Sequence, residues 1–459
     1  MGAAAPIRKR RGQDSLSLDP VEQRLLLART LAELDADYAF EARPDLASLV
    51  NWSSTRNAPM HRWIRYREAY SPDLIEALGL GQNILDPFCG CGSMLVGAAA
   101  RGRRATGIDI NPLATFAARV KSKPLSEAQL AEVRAFAEAF PGNLPERFDP
   151  WTPDLSIASK VFEPEILATL VQLRAAINGA TLAEPSRDFL KLCWVAILEG
   201  VGSYFKEGNG IKYRNVQRRP GKYVARADGW QTKRFGLDQP EFVRRHFLDH
   251  LNLMIADTSA WDDAWGNVEI IHGNALDIEA LTSSQFDSVV FSPPYANRFD
   301  YFESMKVELW FGGFVEDRAR LTSLRKASLR SHLASDFSRP NERFEALEDL
   351  ISCMDRQASS WRMGVPNLLR GYFSDIVEVL RQCRARLKPD GACYVVVGNS
   401  AFGGTIIPSD TLTALAGARA GFGSSEIWVA RHLGVAPQQR AVLTGFEAFM
   451  RESVVVLRP

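Results

Sequence analysis

The sequence predicts an α/β fold: an open, mostly parallel sheet flanked by helices, with helical insertions between its strands. Two strand-to-loop units carry the prediction. Asn83-Ile84-Leu85 is a short apolar strand that runs through Asp86-Pro87-Phe88 into a turn with Gly90 and Gly92 and then a helix from Met94. Asp287-Ser288-Val289-Val290-Phe291 is an apolar run that ends in Ser292-Pro293-Pro294-Tyr295, where the prolines stop the strand. Between them, residues 105–110 form a further short strand whose Asp109 follows the glycine turn by about twenty residues, the spacing of a ribose-binding acid.

Taken in order, residues 1–20 read as a tail and 21–50 as helical, with Leu25, Leu26, Leu27, Leu31 and Leu34 on one stripe. The α/β core begins near residue 55, so 1–54 are an N-terminal tail and helix and 55–120 the first half of the core. Ser93 stands where a helix N-cap is wanted, and a helix starts at Pro112-Leu113-Ala114. Residues 121–265 exceed any ordinary connection in such a sheet and read as an inserted, mainly helical subdomain, with turn clusters at 141–143, 145, 150 and 153–154. The second half, 266–459, resumes at Val268 and carries another helical, charged insertion at about 315–365. Then come an amphipathic helix over 372–387, a turn at Lys388-Pro389-Asp390-Gly391, a strand over 392–398 and a closing pair of strands at 425–432 and 453–457. No internal repeat is visible.

With 46% hydrophobic and 24% charged residues the chain is ordinary globular material. Its six cysteines make no CxxC pair, which argues against zinc and for a reducing compartment. The segment 1–12 lacks the apolar stretch of a secretory signal and no run is long enough to cross a bilayer, so a cytoplasmic protein without membrane contact is expected. The net charge of +1 does not by itself announce a nucleic-acid partner. Locally, Lys206, Lys212, Arg214, Arg218, Arg219 and Lys222 are interleaved with Tyr204, Phe205, Tyr213 and Tyr223, a pattern that suits phosphate tracking and base stacking. It also suits a solvated surface loop with aromatic anchors. Of this group, Lys212, Arg214, Arg218, Arg219 and Lys222 are the candidate nucleic-acid contacts. Arg318, Arg320, Arg325, Lys326 and Arg330 form a second basic stretch, whose Leu321, Leu324 and Leu329 fit an amphipathic helix with a wet face.

The two loops suggest chemistry. Gly90 and Gly92 let the backbone approach a ligand, and Asp109 can accept from two ribose hydroxyls; such turns also bind dinucleotides or merely close a corner. The Ser292 hydroxyl and Pro293 carbonyl can accept both protons of an aromatic amino group, and the prolines stiffen the loop. That holds the nitrogen for attack, because a lone pair conjugated with a ring is a poor nucleophile until it is biased toward tetrahedral geometry. Tyr295 offers a face for stacking an extruded base.

These residues resemble a family. Asp86-Pro87-Phe88, Gly90, Gly92 and Ser93, followed by Gly107-Ile108-Asp109-Ile110-Asn111-Pro112, resemble the S-adenosylmethionine pocket of the DNA amino-methyltransferases, which modify cytosine N4 or adenine N6. Ser292-Pro293-Pro294-Tyr295 resembles their catalytic signature, in the form that goes mostly with N4-cytosine enzymes; Asp- and Asn-Pro-Pro-Tyr go mostly with N6-adenine and some RNA guanine enzymes. The stretch 268–277 resembles the strand and loop that meet the cofactor's adenine, with Asn274 and Ala275 in contact. Residues 60–66 and 70–75 resemble the segment over its methionine end. The resemblance covers 55–120 and 265–459, with two departures: Cys91 where Ser or Thr is usual, and Phe291 where the family is often polar.

It implies a Rossmann-like methyltransferase fold, a seven-stranded mostly parallel sheet with an antiparallel last strand. It further implies S-adenosylmethionine as cofactor, duplex DNA with the target base flipped out as substrate, no metal, and a paired restriction nuclease or defence-system components as partners. Asp86, Phe88, Gly90, Gly92, Asp109, Asn274 and Ala275 would hold the cofactor, and Ser292, Pro293, Pro294 and Tyr295 the base. Methylation at cytosine C5 would need a nucleophilic cysteine, in that family typically after proline, and the chain has no Pro-Cys dipeptide. An N6-adenine or RNA-base enzyme, or a nucleic-acid-binding scaffold with the same fold, are the alternatives.

Overall fold

Eight strands make one sheet: β1 (Ala39–Ala42), β2 (Asn83–Asp86), β3 (Arg104–Asp109), β4 (Val268–His272), β5 (Phe286–Phe291), β6 (Leu387–Gly398), β7 (Ser424–His432) and β8 (Arg451–Arg458). The computed structural model describes residues 19–459 apart from 52–56, 67–69, 141–156, 208–209, 215, 220–221, 226–231, 233–235, 262–263 and 436–438. The expected tail and the turn clusters of 141–154 therefore lie outside the described residues.

The strands lie in the order β1-β7-β8-β6-β5-β2-β3-β4. β8 alone runs against its neighbours, antiparallel to both β6 and β7; the other pairings are parallel. The count of seven strands is corrected to eight by β1, which extends the sheet edge by pairing with β7 from Ala39↔Glu426 to Ala42↔Val429. Residues 21–50 are accordingly not one helix. Helix α1 (Pro20–Ala36) ends two residues before Tyr38, and the four residues of β1 are all exposed. An edge strand without a buried face has no apolar alternation to read, so only its backbone pairing reveals it.

Consecutive core residues of the central strands point to opposite faces and are buried on both. Leu85, Val289, Phe291 and Val395 pack on one side, with Tyr372, Ile376 and Leu380 of the long helix before β6. Ile84, Val290, Val396 and Val454 pack on the other, with Met94, Leu95 and Ala98 of helix α2 (Ser93–Ala99). α2 is capped by Gly92 rather than Ser93, because the capping residue takes φ +81, which favours glycine; Ser93 is the buried first residue of the helix. Helix α3 (Pro112–Ser122) starts where its sequence suggests and is capped by Asn111, whose side chain accepts from Leu113 N at 3.0 Å.

Between α3 and β4 the chain builds a third core from helices α4 (Glu127–Ala139), α5 (Pro164–Gly179), α6 (Glu184–Val201) and α7 (Gln239–Asp257), with Trp63, Phe116 and Phe311 packed into it. The segment is not helical throughout. Tyr204–Glu207 pairs with Gly210–Tyr213, and Val216–Arg219 with Lys222–Ala225, as two antiparallel hairpins. Beyond β5, helix α8 (Arg318–Ala327) leads into an irregular stretch of bends and turns. Helix α9 (Val365–Arg386) starts seven residues earlier than its pattern suggests, with Gly364 at φ +83 before it and Pro366 in its first turn. The expected turn at 388–391 is a register shift inside β6, between Leu387 and Ala392.

Candidate active site

β2, β3 and β5 end side by side, at the point where the strand order reverses. Open α/β sheets hold ligands outside the carboxyl ends of strands at such a point. There a cleft opens, and Asp86, Phe88, Gly90, Asp109, Asn274, Ala275, Ser292 and Pro294 all line it. Eight of the eleven residues expected for cofactor and base thus share one cavity. Gly92, Pro293 and Tyr295 do not line it.

The glycine turn is built by hydrogen bonds that both acids accept. Asp86 accepts from Tyr70 Oη at 2.6 Å and from Phe88 N at 3.0 Å. Asp109 accepts from Gly90 N at 2.9 Å and from Asn111 N at 2.8 Å, tying the end of β3 to the turn after β2. Gly90 takes φ +51, and a Cβ there would stand 3.0 Å from the Tyr66 ring, so a side chain would close the wall of the cleft. Burial pushes the Asp86 carboxyl up to about 7 against the pull of its Tyr70 and Phe88 bonds, and nearby Asp109 adds to the rise. Burial likewise raises Asp109 to about 6, opposed by the Asn111 and Gly90 amides and by His272.

Asn274 faces the cleft, but its side chain is engaged: Nδ2 donates to Ala327 O at 2.9 Å and Oδ1 accepts from Leu276 N at 3.2 Å. It therefore joins β4 to the end of α8. Tyr295 is half-buried with its ring beside Gly398, and its hydroxyl donates to Glu452 Oε1 on β8 at 3.1 Å. It braces the loop against the antiparallel strand.

Sequence reasoning missed the opposite wall, made by Tyr301, Phe302 and the strap Ser328, Leu329, Ser331 and His332. Nothing periodic marks the strap, and the sequence places Arg330 within it on a wet basic face. The structure corrects this. Arg330 is buried, with Nη2 and Nε donating to Asp375 at 2.7 and 3.0 Å and Nη1 to Asn341 Oδ1 at 2.8 Å, pinning the strap to α9. Arg325 is likewise occupied by Asp300 at 2.6 Å. His332 is buried and its pKa lowered by loss of water, with Asp300 pulling the other way. Ala334 N donates to His332 Nδ1 at 3.2 Å, and the Ser328 hydroxyl donates to Arg325 O at 2.8 Å. With Nδ1 accepting, the neutral ring is assigned its proton on Nε2, which lies 3.2 Å from Ser328 Oγ.

The expected nucleic-acid contacts fare differently. Lys212 is exposed and pairs with Glu207 across its hairpin at 2.9 Å. Arg214 is not a solvated cation: it donates to Glu199 O at 3.0 Å and lies 5.6 Å from the Phe205 ring centre, holding the hairpin to the end of α6. Lys206 is buried against Glu308 at 2.7 Å. Arg218, Arg219 and Lys222 lie on hairpin strands, and their side chains are outside the described residues.

A cleft at the strand switch point, floored by a glycine turn and two acids and fronted by a Ser-Pro-Pro loop, defines a ligand site of an α/β protein. Comparison with known proteins narrows the class, for the chain is similar to methyltransferases. It is 27% identical over 421 residues to Type II methyltransferase M.BsoBI of Geobacillus stearothermophilus, covering 83% of this chain and 82% of that protein. It is 22% identical over 408 residues to M.AvaI of Nostoc sp., covering 83% of each. M.MvaI of Kocuria varians is 22% identical over 365 residues, 72% of this chain and 73% of its own. No family model matches. Among solved structures, the rRNA methyltransferase aviRa of Streptomyces viridochromogenes aligns over 88% of this chain and 92% of its own at 10% identity. Its TM-score of 0.28 lends no weight to the likeness.

Proposed function

We propose that this protein is a DNA methyltransferase that transfers a methyl group from S-adenosylmethionine to the N4 amino group of cytosine. The observation that carries the reading is the shared cleft: the glycine turn with Asp109 and the Ser292-Pro294 loop line one cavity, so a donor and an acceptor can meet there. S-adenosylmethionine would supply the methyl on a positively charged sulfonium. Asp109, held by two backbone amides and open to the cleft, would accept from the ribose hydroxyls, and Asn274 and Ala275 would border the adenine. Asp86, Phe88 and Gly90 would shape the floor, and Gly92 caps the helix behind it.

The Ser292 hydroxyl and Pro293 carbonyl would accept the amino protons and aim the nitrogen lone pair. Pro294 stiffens the loop, and Tyr295, whose ring lies beside Gly398 outside the cleft, would brace it through Glu452 and could meet an extruded base only by turning away from that contact. Serine rather than aspartate or asparagine at position 292 supports cytosine over adenine, on the resemblance noted above. Similarity to Type II methyltransferases supports DNA as substrate; the reading further places the protein in the cytoplasm with a paired nuclease as partner. Residues 55–120 and 266–459 would form the catalytic unit, with 121–265 inserted as a DNA-facing subdomain.

Mass spectrometry of nucleosides from DNA and RNA of an expressing host tests this. N4-methylcytosine in DNA is expected; N6-methyladenine, or label only in RNA, would overturn the assignment. A chain that takes up no S-adenosylmethionine in calorimetry would be a scaffold instead.

A further inference from the structure

Arg298 is a bulky residue held at φ +70, a left-handed conformation that costs energy without a glycine and concentrates at functional positions. Its guanidinium makes no ion pair among the described residues, and its Nε is buried without a hydrogen-bond partner. Its contacts are soft: the Met363 sulfur at 3.7 Å and the Phe402 ring centre at 5.7 Å. The acids nearby are already neutralised, Asp300 by Arg325 at 2.6 Å and Glu303 by Lys306. A strained loop thus presents one uncompensated cation.

It presents that cation to an open cleft of about 730 Å³, which His332 separates from the cavity described above by lining both. On the rim stand Leu333 and Met363, large apolar side chains 41% and 43% exposed. A polyanion whose charges alternate with apolar stacked surfaces fits this rim; a small anion would leave Leu333 and Met363 uncovered. A duplex with one base drawn out offers both a phosphate and a gap in the stack that side chains of this kind fill.

We infer that Arg298, Leu333 and Met363 form the duplex-facing mouth of the site, Arg298 on a backbone phosphate near the target nucleotide and the apolar pair in the space the base vacates. This rests on the DNA reading proposed above. Arg298→Gln and Arg298→Gly should each weaken duplex binding about tenfold at low salt and reduce the slope of log affinity against log salt by about one. S-adenosylmethionine affinity should stay within about twofold. Arg298→Gly should also raise Tm, because glycine accepts φ +70 without strain; a lowered Tm would show that Arg298 serves the fold, and would overturn the inference.

The double variant Leu333→Ser/Met363→Gln should methylate a paired target about tenfold more slowly yet recover on a mispaired one, whose base leaves the stack at less cost. An unchanged salt slope in Arg298→Gln, or no rescue by mispairing, would refute the mouth while leaving the function standing. Absence of methyl transfer to any DNA by the unaltered protein would refute the function itself.

Discussion

Tyr70 and Asp86 are joined by a 2.6 Å hydrogen bond beneath the glycine turn, and the same hydroxyl lies 3.3 Å from Val290 O on the neighbouring strand. Both residues are buried, so the bond fastens the segment before β2 to the end of β2 in a setting where a lost partner is not replaced by water. Tyr70→Phe should therefore destabilise the fold by about 1–3 kcal/mol. It should also raise the Asp86 carboxyl further, since the Tyr70 bond is the stronger of the two holding it down. Urea unfolding of the two proteins at pH 8 checks the first point, and the pH dependence of that unfolding, which should extend to higher pH in the variant, checks the second.

Asp86 makes stability depend on pH in an unusual direction. Its folded pKa of about 7 lies above the ordinary 3.8, so the folded state binds the proton more tightly than the unfolded chain does. The resulting stabilisation is complete below about pH 4 and disappears as the pH rises to about 7. Asp86→Asn keeps an acceptor for Phe88 N and leaves the Tyr70 hydroxyl its route to Val290 O. The variant should lack this slope and gain on the unaltered protein between pH 5 and 8. Parallel unfolding curves for the two proteins across that range would refute it.

Asp109 and Ser292 should separate binding from turnover. Asp109→Ala removes the carboxylate that joins β3 to the turn and opens on the cleft, and should weaken S-adenosylmethionine binding at least tenfold, about 1.4 kcal/mol. Ser292→Ala should leave that affinity unchanged and slow methyl transfer by about a hundredfold, the scale of losing one oriented partner at a reacting atom. With Asp109 raised to about 6, cofactor affinity of the unaltered protein should fall as the pH drops through 6. Calorimetry with S-adenosylmethionine and single-turnover assays separate the two variants.

The parts of this site that the sequence announced share a physical character. β2 and β5 are short apolar runs cut off by Pro and Gly, and the loops that succeed them act through backbone and small side chains, so local pattern is enough. The opposite wall is different. Ser328, Leu329, Ser331 and His332 face the cleft because Arg330 is buried on Asp375, forty-five residues away on α9. A charged residue reads as solvated unless its partner is known, and Arg330 and Arg214 both have partners that no local pattern shows. β1 is invisible for the complementary reason, since an exposed edge strand owes its conformation to the backbone of β7. Tyr295 shows a finer limit: its motif is local, while its hydrogen bond to Glu452 depends on a strand at the far end of the chain.

The Arg330–Asp375 pair gives the strap its own test. Both side chains are buried, and Asp375 also accepts from Arg330 N at 2.9 Å and from Arg339 at 3.2 Å. Removing the cation alone leaves a buried carboxylate short of its main partner, so Arg330→Met should cost about 3–5 kcal/mol. Replacing both charges, as Arg330→Met/Asp375→Leu, leaves no uncompensated carboxylate and should recover much of that loss in denaturant unfolding. Function should not recover with stability, because the double variant has lost the hydrogen bonds that set the strap's height over the cleft. Hydrogen exchange should rise at 328–335 in both variants, and S-adenosylmethionine affinity should fall in both while the Asp86–Gly90 turn keeps its protection. Restored affinity in the stable double variant would show that the strap is held in place by packing on α9, and that the ion pair serves the fold alone.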